Sequence, residues 1–251
     1  MERPGNDVIT ARLHAIAAPK AGLWLTTIPM SSQLRITNEA FQNATRLRLG
    51  LPPTEYPPSR CAKCSSGDFQ ADAWHALACG SLRGSTHTNR HNKVVRLLSQ
   101  WINRLGGISH IEPRNLDRDS ERRPDIDASL GGKRFLIDVT ILHPTARSNV
   151  ADGARGPLAL ARSAAQEKSE KYAPMARHNK ATFVPFAVET YGGICDEAND
   201  FVRDLIKMAG TFKFAWQPSE VVYTIRHSIA MAVQNGNAEA VSRCLIGVLR
   251  D

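Results

Sequence analysis

The sequence predicts an α/β protein, and three observations carry that prediction. A helical stretch is followed by three short strand-like segments, a second helix and a fourth strand, the order expected of a mixed sheet covered by helices. Gly131-Gly132 joins two runs rich in β-branched residues as a hairpin turn. The chain has 251 residues, 42% hydrophobic and 22% charged, which is the composition of a globular protein long enough to bury a core.

Taken in order, residues 1–50 read as two helical pieces, an amphipathic N-terminal stretch and then Glu39 to Leu49. Thr37 or Asn38 caps the second piece and Gly50 stops it. A Pro-rich link from Pro52 to Pro58 precedes a cysteine cluster. From His91 to Leu105 the apolar residues Val94, Val95, Leu97, Leu98, Trp101, Ile102 and Leu105 recur at helical spacing, and Gly106-Gly107 ends the run. Strands are expected at Ile108–Ile111, Ile126–Leu130 and Phe135–Leu142. After a loop with Gly153, Gly156 and Pro157, a helix is expected over Leu158–Ala173 and a strand over Thr182–Glu189. Helices at Asp196–Met208 and Glu220–Gln234 complete the reading, with no chemistry placed on them. The implied division is a helical lead-in at 1–58, a metal knuckle at 59–84, an α/β core at 85–215 and C-terminal helices at 216–251.

Thirty-two Lys and Arg against 24 Asp and Glu give a net charge of +8, which favours a polyanionic partner, because neutralising phosphates releases counterions. No apolar run reaches the roughly 20 residues needed to cross a bilayer, and the first residues lack the apolar core of a secretion signal. An intracellular protein is expected. In a reducing compartment, three of the five cysteines crowded beside a histidine favour a metal over disulfides.

That cluster is Cys61, Cys64, His75 and Cys79, spaced Cys-x2-Cys-x10-His-x3-Cys. Two cysteines separated by two residues reach one ion from a tight turn, and His75 and Cys79 would share a face one helical turn apart. Thiolate and imidazole suit a structural zinc ion in a closed tetrahedral site. Cys195 and Cys244 read as ordinary buried thiols.

The second constellation is Arg123-Pro124-Asp125-Ile126-Asp127, joined by the Gly turn to Phe135-Leu136-Ile137-Asp138-Val139-Thr140. An ionised Asp138 inside an apolar strand costs several kcal/mol to bury unless it is paired or binds a cation. A hairpin can bring Asp125 and Asp138 side by side as an oxygen-rich site for Mg(II) or Mn(II), which would polarise a phosphate and activate water. Asp127 and Glu189 are reserve ligands with structural roles the better reading. The alternative for Asp138 is a structural acceptor, for Arg134 or for the helix beginning near 158.

Pro-Asp, twelve residues and Asp-Val-Thr resemble the catalytic core of PD-(D/E)xK nucleases. From Cys61 to about Gly193 the order of motifs, with Arg90-His91-Asn92 between the knuckle and the acids, resembles the restriction-like endonuclease region of site-specific non-LTR retrotransposons. The lead-in Trp24 to Pro29 and Arg46 to Pro52 resembles the segment preceding the knuckle there. The resemblance implies a restriction-endonuclease-like fold, a Mg- or Mn-dependent DNA endonuclease, and a parent protein with a reverse transcriptase domain. It places the protein in the nucleus, with DNA, and RNA as a second candidate, as partner. In the broader nuclease pattern a lysine follows the second acid by two residues; here Thr140 stands in that place. The retrotransposon branch carries its lysine on the following helix, where this chain offers Lys168 and Lys171, with Lys168 preferred. Arg90 and His91 would contact phosphate and Asn92 would orient the attacking water. No Tyr/Phe-x-Asp-Asp sequence marks a polymerase palm. The rival readings are an inactive nucleic-acid-binding remnant, a branched-DNA resolvase and a zinc-stabilised interaction protein.

Overall fold

A computed structural model describes residues 4–65, 67–114, 116, 123–209 and 217–245. The expected boundary at 215/216 lies outside them. The protein is a mixed α/β structure: a four-stranded sheet flanked, among the described residues, by seven helices, with a helical N-terminus and a cysteine cluster. The helices are α1 (Pro4–Ala17), α2 (Asn38–Leu49), α3 (Thr86–Arg104), α4 (Val150–Gly153), α5 (Ala159–His178), α6 (Asp196–Met208) and α7 (Pro218–Leu245). The strands are β1 (Ile108–Ile111), β2 (Ile126–Leu130), β3 (Lys133–Leu142) and β4 (Thr182–Glu189), in that spatial order. The pairs β1–β2 and β2–β3 are antiparallel, and β3–β4 is parallel. A parallel pair needs a long crossover, and α5 supplies it.

Alternation along the strands separates the two faces of the sheet. Ile126, Ala128 and Leu130 of β2, Phe135, Ile137 and Val139 of β3, and Val184, Phe186 and Val188 of β4 share one core with residues of α3, α6 and α7. The intervening residues Leu136 and Phe183 pack on Tyr172 and Met175 of α5. Asp138 therefore points toward α5. Gly131 and Gly132 both take positive φ, 57° and 75°, which a two-residue hairpin turn of the expected type demands.

Three helices run longer than periodicity suggests. Helix α3 begins at Thr86, because Thr86 and Arg90 are buried polar residues that an apolar pattern cannot register. Helix α5 continues through Pro174 to His178. Helix α7 continues through Gly236-Asn237, which reads as a terminator but is a packing site: a Cβ at Gly236 would stand 2.5 Å from Arg90 Cγ. The glycine lets α3 and α7 approach each other. Gly236→Ala is expected to cost about 2 kcal/mol through overpacking against that stem, measured by urea denaturation. Helix α1 also departs from expectation. It buries Ala11 and Ala15 while Val8, Ile9 and Leu13 are exposed, so its larger apolar residues do not face the core. No helix of the described residues is long and apolar enough to cross a membrane.

Candidate active site and metal centre

Continuing the β2–β3 register one step beyond Ile126↔Ile137 sets Asp125 opposite Asp138. Such cross-strand neighbours have Cβ atoms about 5 Å apart. Asp138 is only 5% exposed, and Lys168 Nζ reaches from α5 to within 2.8 Å of its Oδ2. That oxygen has no hydrogen bond of good alignment, so the contact is an ion pair. Lys171 is displaced from the acid and lies 5.4 Å from the Tyr172 ring. Tyr172 in turn donates from its hydroxyl to the Arg123 carbonyl (3.0 Å), tethering the segment that delivers Asp125 to α5.

Asp125 Oδ2 accepts from the Val139 amide at 2.6 Å and from His91 Nε2 at 3.1 Å. The same His91 nitrogen lies 3.1 Å from the Val139 carbonyl, and Nδ1 lies 3.0 Å from Asn92 Oδ1. Burial pulls the imidazole down, but the hydrogen bond and charge of Asp125, with Asn92 and Val139, outweigh it and raise His91 to about 9. A doubly protonated ring suits this setting of acceptors. The acid pair is thus bracketed by two cations, His91 from α3 and Lys168 from α5.

Arg90 does not join them. It is 3% exposed, with Nη1 donating to Asn237 Oδ1 at 2.7 Å, and burial pulls it down to about 10. Its guanidinium forms a buried bridge between α3 and α7. Asn237 Nδ2 extends that bridge to the Thr190 carbonyl at 2.8 Å, a buried polar connection that sequence periodicity does not reveal.

The reserve acids are also placed. Asp127 is held by Arg134 through two bonds of 2.9 and 2.8 Å, so Arg134 serves Asp127 and not Asp138. Glu189 sits four residues beyond Pro185, the partner of Asp138, or about 13 Å along the strand. It is 1% exposed, with Oε2 lacking a partner among the described residues, and burial raises it to about 7. Unfolded, the carboxyl gives up its proton near 4.5; folded, near 7. Its effect on stability is therefore least unfavourable below about pH 4.5 and worsens as pH rises to about 7. The full difference is up to about 3 kcal/mol. Glu189→Gln is expected to raise the melting temperature at pH 8 and leave it unchanged at pH 4, as followed by circular dichroism.

The ligand atoms of Cys61, Cys64, His75 and Cys79 all lie within 4.8 Å of one another, a set that could hold a zinc ion. The turn after Cys61 is closed by Ser65 N donating to the Cys61 carbonyl (3.0 Å), and the amides of Lys63 and Gly67 donate to the sulfurs of Cys61 and Cys64. Gly67 is required there, since a Cβ would meet the His75 ring at 2.3 Å. His75 and Cys79 do not lie on one α-helix as expected. Two 3-10 turns, His75–Leu77 and Gly80–Leu82, deliver them. Cys244 is a buried thiol, as expected, and it packs on the knuckle. Burial and the neighbouring thiols of Cys61 and Cys79 push its pKa up, and its carbonyl accepts from Ala62 N at 3.0 Å. The end of α7 thus docks on the knuckle through a bond between residues 182 apart in sequence. Cys195 fits its expectation of a buried thiol, within 3.5 Å of the Pro185 carbonyl.

No protein-family model matches this chain. Over 152 residues it is 28% identical to the retrotransposable element SLACS 132 kDa protein of Trypanosoma brucei gambiense, an alignment that covers 58% of this chain and 13% of that protein. The chain is thus similar, over part of its length, to a small portion of a retrotransposon protein.

Proposed function

We propose that this chain is a retrotransposon-derived, metal-dependent DNA endonuclease of the restriction-endonuclease-like kind. The observation that carries the reading is the ion pair between Lys168 and Asp138. Where the nuclease pattern expects a lysine, β3 presents Thr140, and a lysine from the adjacent helix reaches the same acid. The likeness to a retrotransposable-element protein supports the origin. The net charge of +8 supports a nucleic-acid partner.

Asp125 and Asp138 offer the carboxylate oxygens suited to Mg(II) or Mn(II). Such an ion, when bound, supplies Lewis-acid polarisation and lowers the pKa of water. Lys168 orients the attacking water and offsets the negative charge that grows on the phosphate in the transition state. His91, held by Asp125, presents a cation beside the same phosphate, and Asn92 fixes the ring. The zinc cluster is structural. In this reading residues 1–58 lead in, 59–84 form the knuckle, 85–215 the catalytic core and 216–251 the helices that brace it. The parent protein carries a reverse transcriptase domain, and the site of action is the nucleus.

Zinc-loaded protein incubated with supercoiled plasmid is expected to produce open circles with Mg(II) or Mn(II) and none with a chelator of those ions. A chain that binds DNA but cuts it with neither ion is a nucleic-acid-binding remnant, which is the second reading; Thr140 is the observation in its favour.

A further inference from the structure

Between α3, α7 and the turn at Ser32–Leu34 lies an open cleft of about 300 Å³, lined among others by Arg35, Lys93, Arg96, Gln100, Ser228 and Asn235. It belongs to the α3 and α7 layer, whereas Asp138 faces α5 across the sheet. Among the described residues no carboxylate lines it. Lys93 reaches Glu239 at 3.6 Å, but no acid among the described residues comes within ion-pair distance of Arg35 or Arg96. Two neighbouring guanidinium groups without a counter-charge attract an anion.

Ser228 points the same way. It is 1% exposed, lines the cleft, and its Oγ has no hydrogen-bond partner. A buried helical hydroxyl ordinarily bonds back to the carbonyl four residues earlier, as Thr224 does to Glu220 at 2.7 Å. Ser228 lies on the face of α7 that lines the cleft, with Met231, Ala232 and Asn235, and its hydroxyl is left unbonded there. The walls are built in advance: Asn235 Nδ2 donates to the Arg35 carbonyl and its Oδ1 accepts from Thr37 N, both at 3.1 Å, while Gln33 donates to Gln100 at 3.2 Å.

We infer that this cleft binds the sugar–phosphate backbone of a nucleic-acid strand at a position separate from the acid pair. The floor is apolar, with Leu97 and Met231, and the guanidinium and ammonium groups, amides and hydroxyl on its walls are groups that contact phosphate and sugar without reading bases. Lys93 and Arg96 lie one helical turn apart on α3, the helix that carries His91, so one rigid element spans both sites. The inference rests on the nucleic-acid part of the proposed function and does not require the acids to cut.

The test measures anisotropy of a short fluorescent single-stranded oligonucleotide over a series of salt concentrations, without divalent ions, with Asp125→Ala protein as the background. Arg35→Gln/Arg96→Gln is expected to weaken binding about tenfold or more and to reduce the salt slope by about 1.4, two contacts at about 0.7 each. Arg226→Gln, in a second basic cleft beside α6, is the control for net charge and is expected to change the slope by less than half as much. Melting curves confirm that each variant is folded. Binding that the double variant leaves unchanged overturns the inference. So does an equal loss in Arg226→Gln, or displacement of the strand by inorganic phosphate at comparable concentration. Failure of plasmid nicking with this binding intact refutes the nuclease reading alone.

Discussion

Asp138→Asn is expected to reduce metal-dependent nicking by about 10³-fold, the upper range of what one electrostatic group contributes. The amide keeps the shape of the carboxylate but holds no cation, so Lys168 loses its partner at 2.8 Å and the acid site loses half its charge. Asp125→Asn is expected to act similarly and also to weaken its hold on His91 and on the Val139 amide. Stability should fall modestly in Asp138→Asn, because Lys168 loses its partner but, at 29% exposure, can turn to solvent. Plasmid nicking rates and urea midpoints, read on the same preparations, separate the two effects. A variant that loses activity only in proportion to lost folded protein would make Asp138 structural.

Stripping zinc is expected to unfold the knuckle and to loosen α7 with it. The buried cluster that contains Cys61 and Cys79 also holds Ala15 of α1, Leu47 of α2, Tyr191, and Ala240, Val241 and Cys244 of α7. Metal at such sites contributes on the order of 10 kcal/mol to folding in zinc-finger peptides, and its loss is felt by whatever packs on the site. Cys79→Ser should therefore lose bound zinc and lower the melting temperature by well over ten degrees. Cys244→Ala should keep one zinc per chain, because Cys61, Cys64, His75 and Cys79 already converge. Elemental analysis beside thermal melting checks both. Zinc lost equally in Cys244→Ala would make that thiol a ligand.

The mixed sheet was legible in the sequence because each strand is a short run of branched residues and the hairpin carries its own signal in Gly131-Gly132. The knuckle and the acid pair were legible because their spacings are local. What lay beyond reach is non-local. Arg90 looks from the sequence like a basic residue beside a histidine, yet a bond to Asn237, 147 residues later, keeps it inside. Gly236 looks like a helix stop, although it is the place where α3 and α7 touch. Cys244 sits far from the cluster it joins. Which of Lys168 and Lys171 pairs with Asp138 depends on the rotation of α5 against β3, which three residues of spacing cannot settle.

The most direct test of the central claim, that a helix-borne lysine serves the acid pair, is single-turnover nicking of supercoiled plasmid by the wild type, Lys168→Met and Lys171→Met under Mg(II). The account predicts a loss of at least about 10²-fold for Lys168→Met and near wild-type rates for Lys171→Met. Equal rates in all three, or a wild type that never nicks, would contradict it.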